Sequence, residues 1–239
     1  MSDVLEFKRV DAVGKCYKLS IVFYVNGMKF QGDTLEKASL GGSETAGLYM
    51  AREMARRGHD VIVFSNTDRP GKYDGVNYMP IENFTQYMLF TATDVLIAQR
   101  VPQVFGAQMK SKLNILWHHD IGLRRSAQNF RGSLWNIDEV WGVSKFHVEQ
   151  MREVYGAPEK TFWATRNGVD RIEINPLLPA RAKKRLIYTA RPERGMDTLI
   201  FGVMPKLWAV DPDIELRLAG YDNTVAEMKP FYDSIFAKI

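Results

Sequence analysis

The chain predicts an α/β fold: a parallel sheet with helices on both faces. Three observations carry this. Apolar runs such as "KLSIVFYV" (18–25) and "DVLIAQ" (94–99) lack the polar alternation of a half-exposed strand. Patterns with a charged and an apolar helical face separate these runs. With 239 residues, 46% hydrophobic and 25% charged, the chain has the composition and length for a sizeable core.

The elements follow in order. A strand at 18–25 leads through a long loop to a helix at 43–58, "SETAGLYMAREMARRG". There Gly47, Met50, Ala51, Met54, Ala55 and Gly58 share one face, and Arg52, Glu53, Arg56 and Arg57 lie largely on the other. Strands are expected at 59–66, 76–81, 94–99, 113–119, 138–144 and 161–170, with a helix at 145–155 before the last. After a polar, proline-containing stretch, a strand at 185–190, a helix at 196–210, a strand at 213–220 and a helix at 225–238 follow. This divides the chain into a tail (1–16), a doubly wound domain (17–170), a linker (171–184) and the beginning of a second domain (185–239). Two parallel strands bury little surface, so the second domain is expected to be incomplete.

Bulk properties exclude several classes. Cys16 is the single cysteine, which excludes an internal disulfide framework and a cysteine-based zinc site and makes a reducing cytosol the default. The N-terminal "MSDVLEFKRVDAVGK" lacks the apolar core of a signal peptide, and no run approaches ~18 apolar residues. The net charge of +4 suits anionic small molecules, membrane surfaces or nucleic acid and selects none of them. The basic run "RAKKR" (181–185) is either a solvated face or a contact for anionic lipid or polyphosphate.

Candidate chemistry collects where strands end and helices begin, the edge at which open α/β sheets bind ligands. Gly41 and Gly42 precede the first helix, with Ser43 as the expected N-cap and Glu44 against the positive end of the dipole; Ala46 leaves a capping box incomplete. The glycines either let backbone N–H groups approach an anion or only shape the loop. This is no dinucleotide fingerprint: the loop is too long, and "FSNT" ends the second strand without a ribose-binding acid.

"WHHD" (117–120) ends a buried strand. Strand geometry would point His118 and Asp120 one way and His119 the other, which serves a metal poorly; hydrogen-bonded structural histidines are the alternative. In "ARPERGMDT" (190–198), Arg191 and Arg194 stand where an anion would bind, unless Glu193 pairs locally on a surface loop. Asp211 and Asp213 in "DPD" read as a turn, "NGVD" (167–170) as a turn beside the domain boundary, and His59 and His147 as structural residues.

Taken together and in order, "GGSETAGLYMAREMARRGHDVIVF", "ILWHHDI", "DEVWGVSKFHVEQM", "RNGVD" and "LIYTARPERGMDTLI" resemble a family-4 retaining glycosyltransferase of the GT-B fold, over most of the chain from about residue 18. The resemblance implies two Rossmann-like domains facing a nucleotide-diphosphate-sugar donor, the second domain incomplete here. It implies that Gly41 and Gly42 approach the donor phosphates and sugar and that His119 is the catalytic-site histidine positioning sugar and acceptor. Arg191 clamps the diphosphate, and Arg194 stands for the family's lysine. Glu44, His118 and Asp120 would support the acceptor side. No metal or other cofactor is implied, since cationic side chains meet the diphosphate charge.

The implied partners are the donor and a glycan, lipid-linked or other hydroxyl acceptor, with peripheral membrane contact and no nucleic acid. The expected location is cytoplasmic, including the inner face of a membrane. The polar loops at 26–40 and 122–132 are expected to be mobile and to select the acceptor. The family's later Glu-x7-Glu element does not occur before Ile239. Weak or absent transfer by this chain alone is therefore expected, and a non-catalytic glycosyltransferase-like binding module is the alternative.

Overall fold

The computed structural model describes residues 17–157, 161–168, 183–219 and 226–237. Cys16, the tail at 1–16, most of the expected linker, and Val169 and Asp170 of "NGVD" lie outside the described residues. The chain divides into two compact units, Met1–Val169 and Asp170–Ile239.

The first unit is α/β with a mostly parallel sheet. Its strands are β1 (Ser20–Val25), β2 (Asp60–Ser65), β3 (Gly71–Tyr73), β4 (Val76–Pro80), β5 (Thr93–Gln99), β6 (Ser111–Trp117), β7 (Glu139–Gly142) and β8 (Thr161–Ala164). Its helices are α1 (Gly42–Arg56), α2 (Phe84–Phe90), α3 (Ala127–Ser133) and α4 (Lys145–Tyr155). The sheet runs β3-β4-β2-β1-β5-β6-β7-β8, and only the β3–β4 pair is antiparallel. Strand order reverses between β1 and β5: β2 and then the β4–β3 pair lie outward of β1, and β6, β7 and β8 follow outward from β5.

Period-two alternation sorts the strand residues into two cores. Ile21, Phe23, Val25, Ile97, Ile115 and Trp117 pack on one face with Leu48 and Ala51 of α1. Val22, Leu96, Ala98 and Leu116 pack on the other, with Phe84 and Met88 of α2, Phe130 of α3, and Val148, Met151 and Tyr155 of α4. A fully buried leucine such as Leu48 stabilises the fold by ~1.5–3 kcal/mol.

The two expected mobile loops both carry buried anchors. In 26–40, Phe30, Gln31, Thr34 and Leu40 are buried, and Ser65 Oγ donates to the Phe30 carbonyl at 2.8 Å. In 122–132, Ala127 and Phe130, three residues apart on α3, turn one face into the core.

In the second unit, β9 (Arg185–Tyr188) pairs in parallel with β10 (Glu215–Leu218). Met196, Ile200 and Ile235 form its small core with Tyr188, Leu216, Leu218 and Phe231. The helix expected over 196–210 forms, but its winding changes: a wide π segment (Thr198–Val203) runs directly into α5 (Met204–Val210). Pro205 explains the widened turn, because its ring crowds the carbonyl one turn back and it offers no N–H to the ladder. A final helix, α6, spans Lys229–Phe236. No helix among the described residues is long and apolar enough to cross a membrane.

Candidate functional site

The carboxyl ends of β1, β5 and β6 bring the residues after each strand together at the reversal of strand order, where α/β sheets open a crevice for ligands. From β1 come Gly27, Met28 and, after the long loop, the first turn of α1. From β5 come Gln99 and Arg100. From β6 come His118, His119 and Asp120.

α1 begins differently from the expectation. Gly41, with extended φ −63° and ψ 152°, is the N-cap, and its carbonyl accepts from Thr45 N–H at 2.8 Å. Ser43 lies inside the first turn, and its hydroxyl donates to Glu44 Oε2 at 2.8 Å. The buried Glu44 carboxylate folds back over the loop, where Oε1 accepts from Met28 N–H at 3.2 Å. A Cβ on Gly27 or Gly41 would collide with this carboxylate. Gly42 differs: it is exposed, and a Cβ there would meet nothing within 4 Å. The bareness of Gly41 is thus explained within the chain, and that of Gly42 is not.

His119 follows the face of Trp117 and so reaches α1; the two rings lie 4.7 Å apart. Gln99 Nε2 donates to the Ser43 carbonyl at 3.2 Å and lies 3.2 Å from His119 Nε2. With the amide as donor, Nε2 accepts and the imidazole proton sits on Nδ1. Burial pushes the His119 pKa down to about 4, with Arg100 adding to the depression. The ring is therefore neutral near pH 7.

His118 does not share a direction with Asp120, because β6 ends at Trp117. The His118 ring turns into the opposite layer, stacked on Tyr155 at 6.1 Å and beside Phe130 and His147. Burial, and then the nearby His147, lowers its pKa to about 4. Asp120 is exposed and accepts from Arg100 Nε at 2.6 Å. Arg100 is left-handed, with φ 66°, and its guanidinium also comes within 3.5 Å of Ser43 Oγ. A non-glycine residue so placed stores roughly 1 kcal/mol or more of strain, a feature that clusters at functional sites.

His147, read from the sequence as structural, ties backbone groups beside this site. Its Nδ1 accepts from Val143 N–H at 3.2 Å, which puts the proton on Nε2, 2.7 Å from the Asp120 carbonyl. Neighbouring Gln150 exchanges two 2.7 Å bonds with Gly122, accepting from its N–H and donating to its carbonyl.

In the second unit, Arg191 caps the turn Pro192–Arg194, and Tyr188 donates its hydroxyl to the Arg191 carbonyl at 2.9 Å. Glu193 accepts from Tyr232 at 2.7 Å, and Arg194 is exposed. Asp211 and Asp213 sit in a turn, both paired with Lys184.

Gln99, Arg100, Gln150 and Gly27 were not singled out by the sequence. Gln99 carried one signal, as a polar residue ending an apolar strand. The others are joined to the site by tertiary contacts that no local pattern encodes. Among the described residues, no three His, Cys, Asp or Glu side chains gather into a metal-binding group. Chemically, the site offers first-turn amides at a positive helix end, a neutral imidazole and a guanidinium, a set suited to an anionic, hydroxyl-bearing ligand. No protein-family model matches the chain, and no curated protein matches it.

Proposed function

We propose that this protein is a retaining glycosyltransferase of the GT-B type, similar to family 4, that takes a nucleotide-diphosphate-sugar and a hydroxyl acceptor. The observation that supports this reading best is the meeting of the α1 first turn with His119 at the reversal of strand order. A phosphorylated sugar approaching there meets backbone N–H groups at Gly42 and Ser43, and Gly42 leaves its path clear.

In this reading the bond from the anomeric carbon to the diphosphate breaks, and its electron pair stays with the diphosphate. The acceptor oxygen bonds to that carbon from the same face and loses its proton to the departing phosphate oxygen. The products are the glycosylated acceptor and the nucleoside diphosphate. His119, neutral at pH 7, donates from Nδ1 to a sugar hydroxyl and orients the ring. Arg191 and Arg194 carry the stabilisation of charge on the leaving group. Glu44 and Asp120 position the α1 turn and Arg100.

Calorimetric titration of the full chain with a panel of nucleotide-diphosphate sugars tests the reading. Saturable binding weakened by Arg191→Ala and by Arg194→Ala is expected. Binding untouched by both substitutions rejects the clamp. Binding with no transfer to any acceptor favours a non-catalytic module.

A further inference from the structure

We propose that α4 sets the position of His119, with His147 and Gln150 as positioning residues that grip the loop carrying it. The part of this inference that concerns transfer rests on the function proposed above; the geometric part stands alone.

Three short hydrogen bonds from adjacent turns of one helix reach this loop. His147 Nε2 donates to the Asp120 carbonyl at 2.7 Å, and the Gln150 amide meets both backbone groups of Gly122 at 2.7 Å. The gripping helix is itself anchored. Val148, Met151 and Tyr155 are buried, Ser144 Oγ accepts from His147 N–H at 3.1 Å, and Gly156 closes the other end with φ 62°.

Close approach is required at Gly122, where a Cβ would lie 3.2 Å from both Gln150 Oε1 and the Tyr155 ring. The loop's other end is fixed by His118 N–H donating to the Trp141 carbonyl at 2.8 Å. His119 is thus held between these points, with only Gln99 hydrogen-bonding its ring among the described residues. A first-turn histidine needs no bond to a loop beyond its helix, and a half-buried glutamine needs no bidentate backbone partner. The arrangement joins α4 to one loop, the one bearing His119.

The test is a proton titration of the imidazoles by nuclear magnetic resonance in the full chain. It compares the unsubstituted protein with Gln150→Ala, Gln150→Glu and His147→Gln, with thermal melts to verify folding. Charged or titratable neighbours of His119 are Arg100, Asp120, Glu44 and His147. Gln150 is none of these, so its removal changes no charge.

In Gln150→Ala the His119 midpoint is expected to rise by about one unit, tenfold in proton affinity, as the loop loosens and water enters. Gln150→Glu keeps the acceptor for Gly122 N–H but adds a negative charge that itself raises the midpoint, so Gln150→Ala is the variant that reads the loop. Should His147→Gln fail to fold, Gln150→Ala decides alone. An unmoved His119 midpoint in Gln150→Ala overturns the proposal. With donor and acceptor, kcat should fall about tenfold in Gln150→Ala at constant donor KM. Absence of turnover in the unsubstituted protein would count against the function while the titration still decides the positioning.

Discussion

The Glu44 carboxylate occupies the space that a side chain on Gly41 would need. It ties the loop after β1 to the first turn of α1 through Met28 N–H and Ser43 Oγ. A glycine is therefore required at Gly41 by the protein's own acid. Gly41→Ala is expected to destabilise the fold by ~1–3 kcal/mol, and Glu44→Ala by ~1–3 kcal/mol through the orphaned Met28 amide. The double substitution should cost less than the sum of the two. Denaturant unfolding of the four proteins gives the coupling; strict additivity would show that the two do not share this space.

Stability should fall with acid before the carboxylates titrate. His118 and His119 have folded-state pKa values near 4, below the ordinary 6.5, so the unfolded chain binds more protons between these limits. The stabilisation is complete above pH 6.5 and is lost as pH falls through 6.5 towards 4, with a slope of at most ~2.7 kcal/mol per pH unit for two groups. His118→Phe, which keeps an aromatic ring against Tyr155 and Phe130, should flatten the slope. A profile equally steep in that variant would contradict the assignment.

Arg100→Gly separates strain from function. Glycine accepts φ 66° without cost, which returns ~1 kcal/mol, while the exposed ion pair with Asp120 contributes only ~0–1 kcal/mol. The variant should melt at or above the parent temperature yet bind a nucleotide-diphosphate-sugar more weakly. Equal affinity would leave the guanidinium without a role in binding.

In the second unit, the bond from Tyr232 to Glu193 joins α6 to the turn bearing Arg191 and Arg194. Tyr232→Phe keeps the ring and removes the bond. It should weaken donor binding in the same direction as Arg194→Ala, though less. Calorimetry showing no change would place the turn's stability elsewhere.

The parallel strands of the first unit, with α1 and α4, were legible in sequence because burial on both faces leaves continuous apolar runs, whereas β3, α2 and α3 were not expected. Local reading failed where tertiary contacts overrode it. Ser43 looked like a cap, yet Glu44 folding under Gly41 claimed its hydroxyl. His147 read as structural, but which loop it holds was hidden because its partner, Asp120, lies 27 residues away. The loop at 122–132 looked polar, and the Ala127–Phe130 spacing that makes it α3 was too short to stand out. Pro205 could have warned of the π segment before α5, since it sits inside the expected helix.

Gly42→Ala tests the central claim most directly. A Cβ at Gly42 meets no described part of the protein within 4 Å, and alanine is the better helix former. The variant should be as stable as the parent or more stable by up to ~1 kcal/mol. If a diphosphate-sugar approaches the backbone there, calorimetry should show its affinity falling by about tenfold or more, roughly 1.4 kcal/mol. Unchanged stability with unchanged affinity would contradict the claim, because the methyl group would then occupy space that no donor uses.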